Sequence, residues 1–353
     1  MERLKLGVVF GGMSTENEVS VVSANSVMQQ LDEKKYEVYP IYIDKQGNWY
    51  EYLEDFTKTT YDGKVEKKRI ITNVMQYLKK LDVIFPVLHG LYGEDGTIQG
   101  LFELLKIPYV GCKVLASSVG MDKAYTKILF QAAGLNQAEY VYIRKHQGKY
   151  YWVKQIGTEE EKSLSDIVTQ VSQQQTYPMF VKPANSGSSV GIRKVAKQEE
   201  LAEAIEYASQ YDTKILIEEG IQGRELECAV LGNDQIQVSP VGEILAADEF
   251  YSYEAKYQNA QSKTVIPANL PDEVSREIRE LAVRAFKAID GTGLSRVDFF
   301  LEDQTNRIVI NEVNTLPGFT SISMYPKLFE SMGVGYSELL DQLIEFALNS
   351  VRW

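Results

Sequence analysis

The stretch "LKLGVVFGGMSTENEVSVVSANSVMQQL", residues 4–31, decides the fold class. Its apolar run from Leu4 to Phe10 is short enough for a buried strand, and Gly11-Gly12 break it so that the chain can turn. Val21, Ala24, Val27, Met28 and Leu31 then recur at helical spacing. Thr15, with Glu18 three residues on, reads as a capping box at the start of that helix. Glu18 thereby acquires a structural task. Glu16 has none beyond the general liking of a carboxylate for the positive end of a helix, worth about 0.3–1 kcal/mol. Its position, however, lies beyond the carboxyl end of a strand, where open α/β sheets bind ligands.

The alternation continues through "YEVYPIYI" from Tyr36 and "DVIFPVL" from Asp82, which predicts a doubly wound α/β sheet over residues 1–111. Glycines at 90, 93, 96 and 100 then separate a strand from a helix. Past Gly111 come a lysine-bearing helix, "MDKAYTKILFQAAG", and a polar stretch from Lys145 to Thr176. From about Lys214 short strands predominate, closing with a helix from Ser337 to Leu348. At 353 residues two or three domains are expected.

Composition narrows the function classes. With 37 basic against 49 acidic residues the formal charge is −12, which does not suit a nucleic-acid partner. No apolar run approaches the roughly 18 residues of a membrane span, so a cytoplasmic protein without a membrane partner is expected. Cys112 and Cys228 are isolated, which gives neither a disulfide framework nor zinc spacing. With only His89 and His146 as imidazoles, a metal must be held mainly by oxygen, which favours magnesium.

Three clusters carry chemistry. In "FVKPANSGSSVGIRKV" two short apolar segments flank a loop of small residues, Ala184 to Ser189, whose N–H groups suit phosphate oxygens. It is not a Walker loop, because strand-like rather than helical residues follow; a glycine-rich hairpin lid fits, and so does a plain surface hairpin. Lys182 and Lys123 would add positive charge. In "SRVDFFLEDQTNRIVINEVNTLPG" two strands flank a polar loop, and a turn centred on Thr305 sets Asp298 opposite Glu312. Residues two apart share a strand face, so Arg296 and Asn314 join them. Facing carboxylates repel unless a cation lies between them, and magnesium bridging phosphates is the natural occupant. In "ILIEEGIQGRELECAV" a strand edge beside Glu218 and Glu219 could present backbone groups to a base, with Glu225 near ribose hydroxyls, though adjacent glutamates also suit a solvated turn.

Taken in order, "GGMSTENEVS", "FPVLHGLYGEDGTIQG", "GCKVLASSVGMDKAYTK", "FVKPANSGSSVG", "FYSYEAKY", "SRVDFF" and "NEVNTLPGFTSISMYP" resemble the D-alanine–D-alanine ligases of the ATP-grasp superfamily over essentially the whole chain. The resemblance implies a three-domain ATP-grasp architecture: an N-terminal α/β substrate domain (1–111), a central subdomain with the phosphate lid (112–213) and a C-terminal domain with the metal and second-substrate site (214–353). It implies ATP-dependent joining of two D-alanine molecules through a D-alanyl phosphate, as a peptidoglycan precursor. Two Mg2+ (or Mn2+) ions and a homodimer are further implications.

By the same resemblance Lys123 and Lys182 contact ATP phosphates, Ser188 and Ser189 lie in the lid, Glu218, Glu219 and Ile221 line the adenine site, and Glu225 meets the ribose. Asp298, Glu312 and Asn314 ligate the metals. Glu16 holds the first D-alanine ammonium beside His89, and Arg296 with the Gly318 N–H forms the oxyanion hole. Ser323 and Lys256 hold the second carboxylate, while Tyr257, linked to Ser188 and Glu16, closes the site under a lid from about Glu249 to Lys263. Ile322 departs from the polar or aromatic residue of many relatives. Met324 stands where resistance-type ligases carry arginine, which favours dipeptide formation over a D-serine or D-lactate product.

Overall fold

The computed structural model describes residues 3–56, 64–245 and 263–350. The first sheet is built from β1 (Leu4–Gly11), β2 (Tyr36–Ile43), β3 (Trp49–Tyr52), β4 (Lys68–Ile70) and β5 (Val83–Leu88), in the order β4-β3-β2-β1-β5. β1 runs parallel to both neighbours, β2 and β5. Alternation along β1 sends Leu6, Val8 and Phe10 against Val21, Ala24 and Val27 of α1 (Asn17–Gln30), and turns Val9 toward Ile98 and Phe102 of α3 (Thr97–Leu105). Both faces are therefore covered, as a parallel sheet requires. A short α2 (Val74–Leu78) lies between β4 and β5.

The expected capping box does not form. α1 begins at Asn17, with Glu16 at its N-cap position and no side chain capping it. Ser14 Oγ instead accepts from the Glu16 N–H at 3.1 Å. Glu18 reaches outward to Lys45 at 3.3 Å, an exposed ion pair. Starting the helix two residues after Thr15 removes the spacing on which the box depends.

The second sheet runs β10-β9-β11-β6-β7-β8. Its strands are β6 (Tyr140–His146), β7 (Lys149–Gln155), β8 (Thr158–Lys162), β9 (Met179–Pro183), β10 (Arg193–Val195) and β11 (Lys214–Glu219). One face packs Val141, Ile143, Val181 and Ile217 on α6 (Leu164–Gln174) and α7 (Gln198–Ala208). The other carries Leu216 with Tyr140 and Tyr142 against Ala124 of α5 (Lys123–Ala132), which follows α4 (Val114–Met121). β11 begins at Lys214, the residue at which the third section of the sequence was expected to start, yet it sits between β9 and β6 in this second sheet.

The third sheet contains β12 (Gly223–Gly232), β13 (Gln237–Val238), β14 (Gly242–Leu245), β15 (Lys263–Val265), β16 (Gly293–Glu302) and β17 (Ile308–Asn314). Cys228, Val297, Phe299 and Ile310 pack on Ile278, Ala282 and Phe286 of α8 (Asp272–Ala288). At its other end Ala229, Leu231 and Leu294 join the first sheet's core, together with α9 (Met324–Glu330) and α10 (Tyr336–Asn349). Phe319 meets Phe85 edge-on at 5.7 Å, which fixes the segment around Gly318 against the first sheet.

The β16–β17 hairpin pairs Asp298 with Glu312 and Arg296 with Asn314, as the sequence predicts, but by a different route. Near the loop Leu301 pairs with Ile308 and Phe299 with Ile310, so the turn is centred between Gln304 and Thr305 rather than on Thr305. The register then shifts at Asp298/Phe299, leaving Asn311 as an extra residue in β17. Ile308, Ile310 and Val313 consequently share the α8 side, while Glu312 and Asn314 face the opposite way.

Candidate active site

One cleft between the second and third sheets is lined by Lys123, Lys182, Ser188, Ser189, Glu218, Glu219, Ile221, Glu225, Asp298 and Glu312, ten of the residues singled out in the sequence. Apolar Phe180, Ile192, Phe300 and Val309 are among its walls. The expected lid is a hairpin: β9 and β10 pair antiparallel, with Arg193 opposite Val181, and the small-residue loop lies between them. Ser188 and Ser189 both adopt the left-handed backbone region, φ 48° and 62°. Lys123 Nζ donates to the Ser186 carbonyl at 2.6 Å and lies 3.7 Å from Glu312 Oε2, so it stands between loop and hairpin. Its backbone N–H donates to the Ala184 carbonyl at 3.1 Å.

Glu218 is buried, with Lys182 Nζ 2.5 Å from Oε2 and Lys127 Nζ 3.4 Å from Oε1. Burial opposes its ionisation, but Lys127 and then Lys182 hold its carboxyl below the usual value. Glu219 accepts from the Glu139 N–H at 3.0 Å and from Arg307 at 2.9 Å, so its side chain ties β11 to the start of β6 and to the hairpin loop.

On the cleft side of the third sheet Glu227, Asp298 and Glu312 lie in register on neighbouring strands. Arg296 donates to both oxygens of Asp298 at 2.7 Å, through Nε and Nη2, and its Nε lies 3.2 Å from Glu227 Oε2. The guanidinium is buried, a loss that these carboxylates outweigh, Asp298 first, so it stays firmly charged. Among the described residues no three acidic, imidazole or thiol groups are gathered closely enough to hold an ion by themselves. The donors nonetheless fit magnesium, a hard cation that takes one or two carboxylates and completes its shell with water and substrate phosphate. Asn314 Oδ1 accepts from the Leu316 N–H at 3.2 Å, beginning the turn that leads to Gly318.

The cleft is joined to the first sheet by Ser188, whose hydroxyl donates to Glu16 Oε1. The Glu16 carboxylate is set in a glycine cradle: a Cβ at Gly90 (φ +73°) would lie 2.7 Å from its Oε2, and one at Gly187 would lie 3.1 Å away. His89, one residue before Gly90, is buried with Nε2 3.2 Å from Ser23 Oγ. Burial holds its imidazole below the ordinary value, against the pull of Glu16. Glu94 lies in the same pocket and accepts from the Gly90 N–H at 2.7 Å. Burial, and next the charge on Glu16, push its carboxyl up to about 8.

Gly318 packs directly on Ser323: a Cβ there would stand 2.9 Å from Ser323 Oγ. That hydroxyl accepts from the Thr320 N–H at 2.9 Å and lies 2.8 Å from Thr320 Oγ1, at the N-cap position of α9. Ile322 is exposed, whereas Met324 is buried beneath Gly242. Lys256 and Tyr257, and with them nearly all of the expected closing loop, fall outside the described residues. Sequence reasoning missed Lys127, Glu227 and Glu94. The first two carried a readable signal, since Lys127 is one helical turn past Lys123 and Glu227 is two strand positions past Glu225.

Family models described as D-ala D-ala ligase N-terminus and D-ala D-ala ligase C-terminus match residues 5–112 and 129–345. A D-alanine--D-alanine ligase of Caldicellulosiruptor bescii is 49% identical over 369 residues, which covers 100% of this chain and 97% of that protein. One of Ruminiclostridium cellulolyticum is 49% identical over 372 residues, covering 98% and 96%. Among solved structures, the VanG D-Ala:D-Ser ligase from Enterococcus faecalis superposes with a TM-score of 0.83 at 37% identity, over 98% of this chain and 100% of that one. The D-alanine-D-alanine ligase from Coxiella burnetii gives 0.79 at 31% identity, over 99% and 95%. Similarity over this length, in sequence and in backbone alike, means that the chain belongs to the D-alanine–D-alanine ligase family and has its ATP-grasp fold.

Proposed function

We propose that the protein joins two D-alanine molecules at the expense of ATP, through a D-alanyl phosphate, and so supplies a peptidoglycan precursor. The observation that carries this reading is the Ser188–Glu16 hydrogen bond. It makes the phosphate loop and the first-sheet pocket one continuous site, so a phosphoryl donor and an amino acid can meet.

Glu16 binds the ammonium of the first D-alanine, with His89 beside it, and leaves the substrate carboxylate facing the nucleotide. Lys123, Lys182 and the N–H groups of the Ser188-Ser189 turn hold the phosphates, while Glu218, Glu219 and Ile221 receive the adenine and Glu225 the ribose. Asp298, Glu312 and Asn314 would hold divalent ions, which when bound would supply positive charge against the phosphates. The first carboxylate oxygen attacks the γ-phosphorus, which gives D-alanyl phosphate and ADP. The second D-alanine, its carboxylate at Ser323 and Lys256, then attacks the acyl carbon as a free amine, and inorganic phosphate leaves. Arg296 and the Gly318 N–H face the tetrahedral oxyanion. Tyr257 and its loop exclude the water that would hydrolyse the acyl phosphate. The same reading takes the enzyme to be a cytoplasmic homodimer of three-domain subunits, which sedimentation of the purified protein would test.

Oxygen tracing tests the intermediate. D-alanine labelled with 18O in its carboxylate should pass one labelled oxygen to each phosphate released, and unlabelled phosphate would exclude an acyl phosphate route.

A further inference from the structure

Lys127 is a buried ammonium without a role in the mechanism above, 4% exposed on the cleft-facing side of α5. Its Nζ lies 3.4 Å from Glu218 Oε1, 3.5 Å from the Ala138 carbonyl and 5.0 Å from the Tyr140 ring centroid. Glu218 is thus gripped by two lysines, Lys127 on one oxygen and Lys182 on the other. The two differ in where they can go. Lys182 stands on β9 just before the phosphate loop, whereas Lys127 is enclosed on α5 by the start of the second sheet.

We infer that Lys127 is a positioning residue for base specificity: it remains on Glu218 when nucleotide phosphates draw Lys182 away, and so keeps Glu218 an anion that only accepts hydrogen bonds. An acceptor-only carboxylate suits a purine bearing an amine at C6 and disfavours one bearing a carbonyl there. Without Lys127, burial would protonate Glu218 once Lys182 left, and the neutral acid could donate to a C6 carbonyl. Burial lowers Lys127 below the ordinary lysine value and Glu218 opposes this, which agrees with an ion pair enclosed in the protein. The inference rests on the proposed placement of the base at Glu218.

The test compares dissociation constants for ATP and ITP, whose base carries a carbonyl at C6, in the full-length parent, Lys127→Met, Lys127→Arg, Glu218→Gln and the double variant Lys127→Met/Glu218→Gln. Lys127→Met should narrow the preference for ATP over ITP by about tenfold or more, the worth of one charge-assisted hydrogen bond. Competition by inorganic tripolyphosphate should stay unchanged, and Lys127→Arg should keep the parent's preference. Because Lys127 acts through Glu218, the double variant should match Glu218→Gln in its ATP to ITP ratio; it leaves no unpaired charge on this pair and remains measurable if Lys127→Met does not fold. A further loss of preference in the double variant overturns the inference, as does an unchanged ratio in Lys127→Met when Glu218→Gln alters it. If Glu218→Gln itself leaves the ratio unchanged, the placement of the base fails and the role of Lys127 fails with it.

Discussion

Asp298 faces Glu312 across the β16–β17 ladder because Asn311 is an extra residue in β17. Were Asn311 paired with Asp298 as an ordinary strand residue, the phase of β17 would reverse beyond Ile310, and Glu312 and Asn314 would turn toward Phe299 and the α8 core while Val313 turned toward the cleft. Deleting Asn311 should therefore keep Glu312 opposite Asp298 and Val313 on the α8 side, because Glu312 then follows Ile310 directly, and the protein should stay folded. Chemical denaturation measures this directly. A loss of several kcal/mol in the deletion variant, the cost of a carboxylate turned into an apolar core, would show that Asn311 is not the residue the ladder skips.

Asp298→Asn and Glu312→Gln should each lower turnover by at least about a hundredfold, since the phosphates lose the charge compensation of bound magnesium. Arg296 keeps Glu227 as a partner, 3.2 Å from its Nε, so the guanidinium is not left unpaired in the Asp298 variant. Turnover and thermal melting should be recorded on the same preparations. Activity near that of the parent at saturating magnesium would contradict the assignment of these side chains to the metal.

Glu16 and Glu18 should separate cleanly. Glu18→Ala removes an exposed ion pair with Lys45 and the first-turn carboxylate of α1, and should change stability by about 0.5 kcal/mol. Glu16→Gln takes the charge from the pocket that Ser188 closes, and should raise the KM for the first D-alanine about tenfold or more. A loss of about 1 kcal/mol in Glu18→Ala would mean that a cap forms there after all.

Glu94 predicts a pH dependence of fixed sign. Its carboxyl is raised from 4.5 to about 8 in the fold, so between those values the native protein holds a proton that the unfolded chain has released. That difference lowers stability as pH rises through the window. Glu94→Gln cannot release a proton, so its melting temperature should gain on the parent's from pH 5 to pH 8 in the absence of nucleotide. A gap that stays constant or shrinks would show that Glu94 is already ionised at the low end.

The strand–turn–helix of residues 4–31 was legible because alternation in β1 and helical spacing in α1 report burial directly. The start of α1 was not. Thr15 and Glu18 satisfy a local rule, but the side chain at the N-cap position, Glu16, is directed into a pocket completed by Ser188 from another sheet. The facing of Asp298 and Glu312 was read correctly from a turn placed half a residue too far along, an error that the bulge cancels. The sequence holds the sign of that bulge, since apolar positions fall at 308, 310 and then 313. β11 looked like the opening of the last section because its neighbours in space, β9 and β6, lie upstream and its pairing is wholly non-local. Lys127 and Glu227 were not singled out, because only the packing of α5 and β12 against the cleft gives them partners.

Ligation itself is read by incubating the purified protein with ATP, magnesium and D-alanine, alone and with equimolar D-serine or D-lactate, and counting phosphate and each ligated product. One phosphate should be released per D-alanyl-D-alanine formed at neutral pH, with that dipeptide the main product in every mixture. Phosphate release without dipeptide, or a mixed product exceeding D-alanyl-D-alanine, would contradict it.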